Sequence, residues 1–291
     1  MRYLIALLLF VPCFAVWADN GALEINQACA SSSEGCFAGD SAGLPVTIVT
    51  PGHYVLTGNL AANAGGATID IEADNAELDL NGFEIAGTAA CTVSNTFPIS
   101  VSCSSDNFAI GIKSGNGISG VTVHNGTVRG IEGDGILLGD RAIVDNVSVY
   151  DMPGTGFSVG TGSRITRCHA FRLGSRGINT LDQAMVIGNS IQNVGGDYAM
   201  LTFNGAALIK DNNVSFNQQV GIGADNSADR VVGNVVRLNG SWGLKVQYAD
   251  SAFGDNVFAG NNSSGYDMCG NGSNMGGNFC SGGACTPSAC P

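Results

Sequence analysis

Residues 209–230 read IKDNNVSFNQQVGIGADNSADR, and residues 231–252 read VVGNVVRLNGSWGLKVQYADSA. Laid over one another, the two stretches match at an opening Ile or Val, at an Asn three residues on, and at a Gly followed by an apolar residue. The match extends outward in both directions. Asn recurs at Asn125, Asn146, Asn189, Asn212, Asn234, Asn256 and Asn278, with Cys168 at the missing step. An apolar register runs Val123, Val144, Ile165, Ile187, Ile209, Val231, Phe253 and Met275. A third pairs Gly135-Ile136, Gly156-Phe157, Gly177-Ile178, Gly221-Ile222, Gly243-Leu244 and Gly265-Tyr266, with Ala199-Met200 replacing the Gly once. All three share a period of about 22 residues, the signature of a solenoid.

Leucine-rich repeats overlap this length but require an L-x-x-L-x-L pattern that is missing. Short strands separated by Gly and Asn turns fit a triangular coil that adds one strand to each of three parallel sheets. Coils then stack at the inter-strand distance of ~4.8 Å, and equivalent positions lie on top of one another. The Asn column has a reading of its own: Asn tolerates the left-handed turn region, and its amide can bond to the Asn above and below. Cys168, in that column, reads as a small buried plug rather than a reactive thiol.

Composition agrees with many short strands and tight turns. Charged residues are 12%, hydrophobic residues 44%, and Gly numbers 43. That profile excludes a disordered chain and a helical bundle. The net charge of −12 leaves no cationic surface for nucleic acid, and it repels anionic polymers unless cations intervene. Residues 1–18 read as a signal peptide: Arg2, an apolar stretch from Leu4 to Val11, and Ala18 before the cleavage point. That stretch is too short to span a bilayer, so the expected location is outside the cytoplasm, periplasmic or extracellular. Close cysteine pairs match an oxidising compartment: Cys29 with Cys36, Cys91 with Cys103, Cys269 with Cys280, and Cys285 with Cys290. The last four admit three pairings.

The first coils carry a more specific pattern. Residues 46–60 read as two strands around Pro51-Gly52, and residues 68–87 as a strand pair of period two. Thr50-Pro51-Gly52, Tyr54, Leu56 to Leu60, Asp74-Asn75 and Leu78 to Phe83 resemble the N-terminal coils of bacterial right-handed β-helix proteins, the pectate-lyase-like superfamily. Asn81 is assigned to the same ladder. With the later repeats, the resemblance covers roughly residues 46–280. It implies an all-β, right-handed parallel β-helix of about nine coils, flanked by disulfide-stapled caps. The expected organisation is an N-terminal cap over 19–45, the β-helix over 46–264, and a Cys- and Gly-rich cap over 265–291. Residues 88–107 match no coil and read as a projecting insertion stapled by Cys91 and Cys103.

The superfamily holds lyases, hydrolases, epimerases and proteins without activity, so function must be read from sites. The acidic motifs of its hydrolases and epimerases are absent. One coil is crowded with cations: Arg164, Arg167, His169 and Arg172 form a candidate lyase centre, with Arg176 beside them. Asp151 lies 21 residues before Arg172, and Tyr150 the same distance before Phe171, so each pair should stack. Lys210 stands two coils on. Tyr150, Asp151, Phe171, Arg176 and Lys210 are the candidate substrate contacts. The expected partner is an extended polysaccharide, with no cofactor or metal unless a lyase activity recruits Ca²⁺. A polysaccharide-binding module, a lyase and an adhesive rod are the three functions to separate.

Overall fold

The computed structural model describes residues 21–104, 107–262, 267–282, 285–287 and 290. The leader read over residues 1–18 lies outside them, as do Gly265 and Tyr266. One coil shows the plan: strands Arg164–Thr166, His169–Leu173 and Ile178–Thr180 stand on three successive faces. The next coil repeats them one strand spacing away, with Ile165 beside Val186, Ala170 beside Ile191, and Ile178 beside Met200. One face is a ten-stranded parallel sheet running from Val46–Ile48 to Met268–Gly270; the other two are joined in a nineteen-stranded sheet. The molecule is thus a parallel β-solenoid of about ten coils, one more than the nine expected. Among the described residues no helix is long and apolar enough to cross a membrane.

Each coil turns three corners, and the same backbone solution serves all three. A residue with positive φ bends the chain, and the residue after it faces the interior. At the first corner the left-handed residues include Arg141, Gly162, Gln183, Ala206 and Ala228. At the second they are Asn125, Asn146, Arg167, Gly188, Asp211, Gly233, Asp255 and Gly277. At the third they are Gly130, Asp151, Arg172, Asn193, Phe216, Leu238 and Gly260.

This geometry corrects the Asn column. The left-handed residue and the ladder residue are neighbours, not one position. Asn125 and Asn146 occupy the left-handed position on the outside, where the Asn146 amide donates to Asn125 Oδ1 at 3.1 Å. Asn81, also left-handed, belongs with them. The buried column is Val147, Cys168, Asn189, Asn212, Asn234, Asn256 and Asn278, one residue further along. Within it, the Asn189 Oδ1 accepts the Cys168 main-chain N–H, and from Asn212 onward each Asn Oδ1 accepts both the main-chain N–H and the Nδ2 of the preceding Asn. Asn189 thus donates to Asn212, Asn212 to Asn234, and Asn234 to Asn256, all at 2.9–3.0 Å. A second ladder, not foreseen, lines the third corner: Asn217, Asn239 and Asn261 hand on the same bond and end at Asp267 Oδ1. Cys168 fills the column as a plug, 1% exposed, with burial pushing its thiol up to about 12.

The apolar register shifts by one residue at two of its steps. Val186, not Ile187, lies between Ile165 and Ile209, and Asn274, not Met275, follows Phe253. Met275 is 49% exposed. In the third register Met268 follows Leu244. Residues 68–87 form three strands rather than a pair, Ala67–Ile71, Glu77–Asp79 and Glu84–Ala86, one on each face.

At the N-terminal end, Leu23–Ile25 pairs in parallel with the strand His53–Leu56, and Phe37 packs on Tyr54 at 5.0 Å between ring centres. At the other end, Met268–Gly270, Ser273–Asn274 and Phe279–Cys280 carry the three faces one coil beyond residue 264. The disulfides are Cys29–Cys36, Cys91–Cys103, Cys269–Cys290 and Cys280–Cys285. The C-terminal bonds are therefore nested instead of sequential: Cys269 belongs to a coil strand, and the chain folds back on it. The insertion is an antiparallel hairpin, Cys91–Val93 with Val101–Cys103. It lies back on the solenoid instead of projecting. The Val101 N–H donates to Gln218 Oε1 at 3.0 Å. Added side chains at Gly195 and Gly240 would come within 3.0 Å of Val101 and 2.8 Å of Pro98.

The ladder predicts an uneven response to Asn removal. Asn234→Ala strands two buried donors of Asn212 and should cost about 2–6 kcal/mol, at ~1–3 kcal/mol for each unsatisfied group. Asn146→Ala, on the outside, should cost under ~1 kcal/mol. Urea unfolding of both variants checks the contrast, and equal losses would contradict the assignment. The first corner gives a pH signature. Asp229 is buried under Thr202 and Ala207, which both donate to it, and burial pushes its carboxyl up to about 6 from 3.8. The folded chain therefore holds a proton that the unfolded chain releases in that window. Stability from this group is complete below about pH 4, falls by on the order of 2–3 kcal/mol as pH rises to about 6, and is level above. Asp229→Asn should remove that slope in unfolding measured across pH 4–7.

Candidate functional site

The ten-stranded sheet presents a regular outer surface. Its inward row of Ile112, Ile136, Phe157, Ile178, Met200, Ile222 and Leu244 is fully buried. One residue on lies an outward row: Lys113, Leu137, Ser158, Asn179, Leu201, Gly223 and Lys245. Two residues before the inward row, at the sheet's entry edge, lies another: Ile110, Asp134, Thr155, Arg176, Tyr198, Val220 and Trp242. The two rows converge on a cavity of about 500 Å³ lined by Asp197, Tyr198, Gln219, Trp242 and Lys245 among others.

Tyr198 is its centre. An added side chain at Gly223 would strike the Tyr198 ring at 2.5 Å, so the ring rests against bare backbone. Its hydroxyl donates to Asp225 Oδ2 at 2.7 Å and receives Lys245 Nζ at 2.7 Å. Burial, then the hydrogen bond to Asp225, push the phenol well above the usual tyrosine range; at neutral pH it is a proton donor. Arg176 stands 6.0 Å from the Tyr198 ring centre and 5.4 Å from that of Phe203. It grips Asp197 with two bonds of 2.8 and 2.7 Å, which hold the guanidinium more firmly protonated and the carboxyl below its usual range. The site thus offers flat aromatic surface, two fixed cations and two carboxylates along one strip.

The cation cluster read from the sequence does not converge. Arg164 and Arg167 line a different cavity, of about 570 Å³, with His124, Ile143, Asp145 and Thr166. It contains no aromatic ring except His124, and Arg167 is hydrogen-bonded to Asp145. His169 is exposed between Ser148 and Ser190 on the next face. Arg172 donates to Asp151 at 2.6 Å and covers the Phe171 ring at 4.7 Å. Tyr150 and Phe171 are stacked as expected. Lys210 lies 3.4 Å from Asp211. Of the residues singled out, Arg176 alone joins the Tyr198 site. A signal for the rest was present: Arg176, Tyr198, Val220 and Trp242 are spaced by 22 residues each. Among the described residues no group of three or more His, Cys, Asp or Glu could hold a metal ion.

The profile for the right handed beta helix region matches residues 109–280. The chain belongs to the right-handed β-helix family. The fold is the right-handed parallel β-helix that its first coils implied. It resembles the A-module of the mannuronan C-5 epimerase AlgE4 from Azotobacter vinelandii with a TM-score of 0.52 and 11% identity, over 87% of each chain. It also resembles the lacto-N-biosidase of Eubacterium ramulus (TM-score 0.43, 9% identity, 80% of this chain and 59% of that one). A third likeness is to the tailspike gp49 of the Acinetobacter baumannii bacteriophage Fri1, a capsular polysaccharide depolymerase (TM-score 0.33, 10% identity, 77% and 50%). These identities speak for the fold alone. A comparison of the sequence with curated proteins finds no match.

The Tyr198 bonds predict a titration. Asp225→Asn removes the carboxylate that holds the phenol proton, while Lys245 stays in place. Tyr198 should then ionise at lower pH, read as tyrosinate ultraviolet absorbance against a Tyr198→Phe control. An unchanged titration curve would contradict the arrangement.

Proposed function

We propose that this β-helix is exported and binds an extended polysaccharide along the entry edge of its ten-stranded sheet. The observation that carries the reading is the Tyr198 ring resting against Gly223, with Trp242 two strands away and Arg176 and Lys245 beside it. Sugars are held by aromatic faces and by fixed polar groups at their hydroxyl and carboxylate oxygens. Stacked coils repeat such groups every ~4.8 Å, close to the rise of a sugar in an extended chain. Four disulfides are compatible with an oxidising compartment outside the cytoplasm, and the leader read over residues 1–18 supplies the route.

A lyase centred on Arg164, Arg167, His169 and Arg172 has less support. Arg167 and Arg172 each bind a carboxylate of a neighbouring coil, so both guanidinium groups are engaged in structural pairs. Substrate contacts at Tyr150, Asp151 and Phe171 would serve a second face and Lys210 a third, both away from the aromatic site. No cofactor is invoked.

Trp242 is, apart from Trp17, the only tryptophan of the chain, so its fluorescence reports on the site. Titration with mannuronan and with polygalacturonate, with and without Ca²⁺, should change that fluorescence saturably. Arg176→Ala and Lys245→Ala should each weaken binding about tenfold, or about 1.4 kcal/mol, while Arg164→Ala should leave it unchanged. Release of an unsaturated product in the same mixtures would replace the binding reading with the lyase one. No binding of either polymer or of a neutral glycan panel would leave the adhesive rod.

A further inference from the structure

The disulfide-closed hairpin meets the solenoid along the rim of the Tyr198 cavity. A side chain added at Gly195 would come within 3.0 Å of Val101, and Gly195 itself lines the cavity. One coil on, the Val101 N–H bonds to Gln218, and the next residue, Gln219, lines the cavity. One coil further, a side chain added at Gly240 would meet Pro98 at 2.8 Å, and Ser241 and Trp242 line the cavity after it. At the hairpin's closed base, Cys103 Sγ lies 3.1 Å from a side chain added at Gly174. Cys103 to Pro98 is ~17 Å of extended chain, and Gly174 to Gly240 is ~14 Å at ~4.8 Å per strand spacing. The returning arm of the hairpin thus runs along the solenoid axis. In each coil it rests two or three residues before a member of the row Arg176, Tyr198, Val220 and Trp242.

The chemistry of the hairpin differs from that of the sheet edge beside it. Residues 91–103 contain no Asp, Glu, Lys, Arg or His, whereas the cavity holds Asp197 and Lys245. Thr92 and Ser94 spend their hydroxyls on bonds within the hairpin, and Ile99 is buried. Asn95, Thr96, Phe97 and Ser100 face solvent, with Phe97 47% exposed. Phe97 immediately precedes Pro98, at the level of the coil that carries Trp242. An aromatic ring, hydroxyls and an amide are the neutral groups that hold sugars. A hairpin already closed by a disulfide and seated on Gln218 has little freedom left to lose when it contacts a ligand.

We infer that this hairpin is a wall of the polysaccharide site, with Phe97 stacking on a sugar ring and Thr96 and Ser100 meeting sugar hydroxyls. The inference rests on the binding reading above and adds a second side to that site. The floor supplies Tyr198, Trp242 and the charged groups. The wall supplies an uncharged surface parallel to the floor row, so a polymer running along the axis is held on two sides.

The test measures binding of mannuronan, polygalacturonate and a neutral glycan panel by calorimetry, with the full chain and its variants. For whichever polymer the unaltered protein binds, Phe97→Ala should weaken affinity about tenfold and Phe97→Tyr should keep it within about twofold. Neither should move the melting temperature, because the ring is exposed. Gln218→Ala unseats the hairpin: hydrogen exchange at the Val101 amide should quicken and affinity should fall about fivefold, with the Tyr198 titration unchanged. Full affinity in Phe97→Ala, or quickened exchange with full affinity in Gln218→Ala, overturns the wall. The binding reading then stands if Arg176→Ala still loses affinity. If the unaltered protein binds none of these polymers, the binding reading itself falls and the wall with it.

Discussion

Everything in this molecule depends on the chain returning to the same place once per coil. Parallel strands of successive coils bond only if every circuit closes with the same residue over its equivalent. Closure is achieved at three corners, each with one left-handed residue followed by one inward side chain. The left-handed residue redirects the strand, and the inward one fills the wedge that the bend opens. Where that wedge is filled by Ile131, Met152 and Leu173, the corner is sealed by apolar contact. Where it is filled by Asn217, Asn239 and Asn261, it is sealed by a line of amides. The change from one to the other runs along the axis, so the two ends of the solenoid are held by different physics.

The period, the fold class and the stacking of Tyr150 on Phe171 were legible in the sequence, because inward apolar residues repeat whatever else varies. The finer register was not. Coil length varies, so a column extrapolated at 22 residues drifts by one position. Ile187 displaced Val186 in this way, and the outward Asn125 and Asn146 were merged with the inward Asn189 and Asn212. A residue type that suits both the left-handed corner and the buried wedge is the one most easily misplaced between them. The second Asn ladder was hidden because it begins only at Asn217, above apolar residues that give no hint of it. The nested C-terminal disulfides were hidden because pairing there follows the path of the last coil, which spacing between cysteines does not record.

The site was legible only in part for a related reason. In a solenoid, residues close in sequence stand on different faces, and residues about 21–23 apart stand together. Arg164, Arg167, His169 and Arg172 are a cluster on paper, but in space Arg164 and Arg167 share one cavity while His169 and Arg172 stand on the next face. Arg176 found its true neighbours, Asp197, Tyr198 and Asn179, partly on its own coil and partly on the next. Each chemical group of the site is contributed by a different coil, so its spacing is that of the strand hydrogen bonds, and side-chain flexibility adds little to it.

The disulfide-closed hairpin changes how the stack as a whole behaves. A plain solenoid is a column of nearest-neighbour contacts, and such a column can fray from either end without disturbing its middle. Here one excursion from an early coil reaches down the outside, touching the Met152 carbonyl with Cys103, the Gln218 side chain with Val101 and the bare backbone at Gly240 with Pro98. It works as a splint across five coils. Loosening any one of them is felt by the others through the hairpin, so the central rungs open together or stay shut together, and the strip beside them keeps one length.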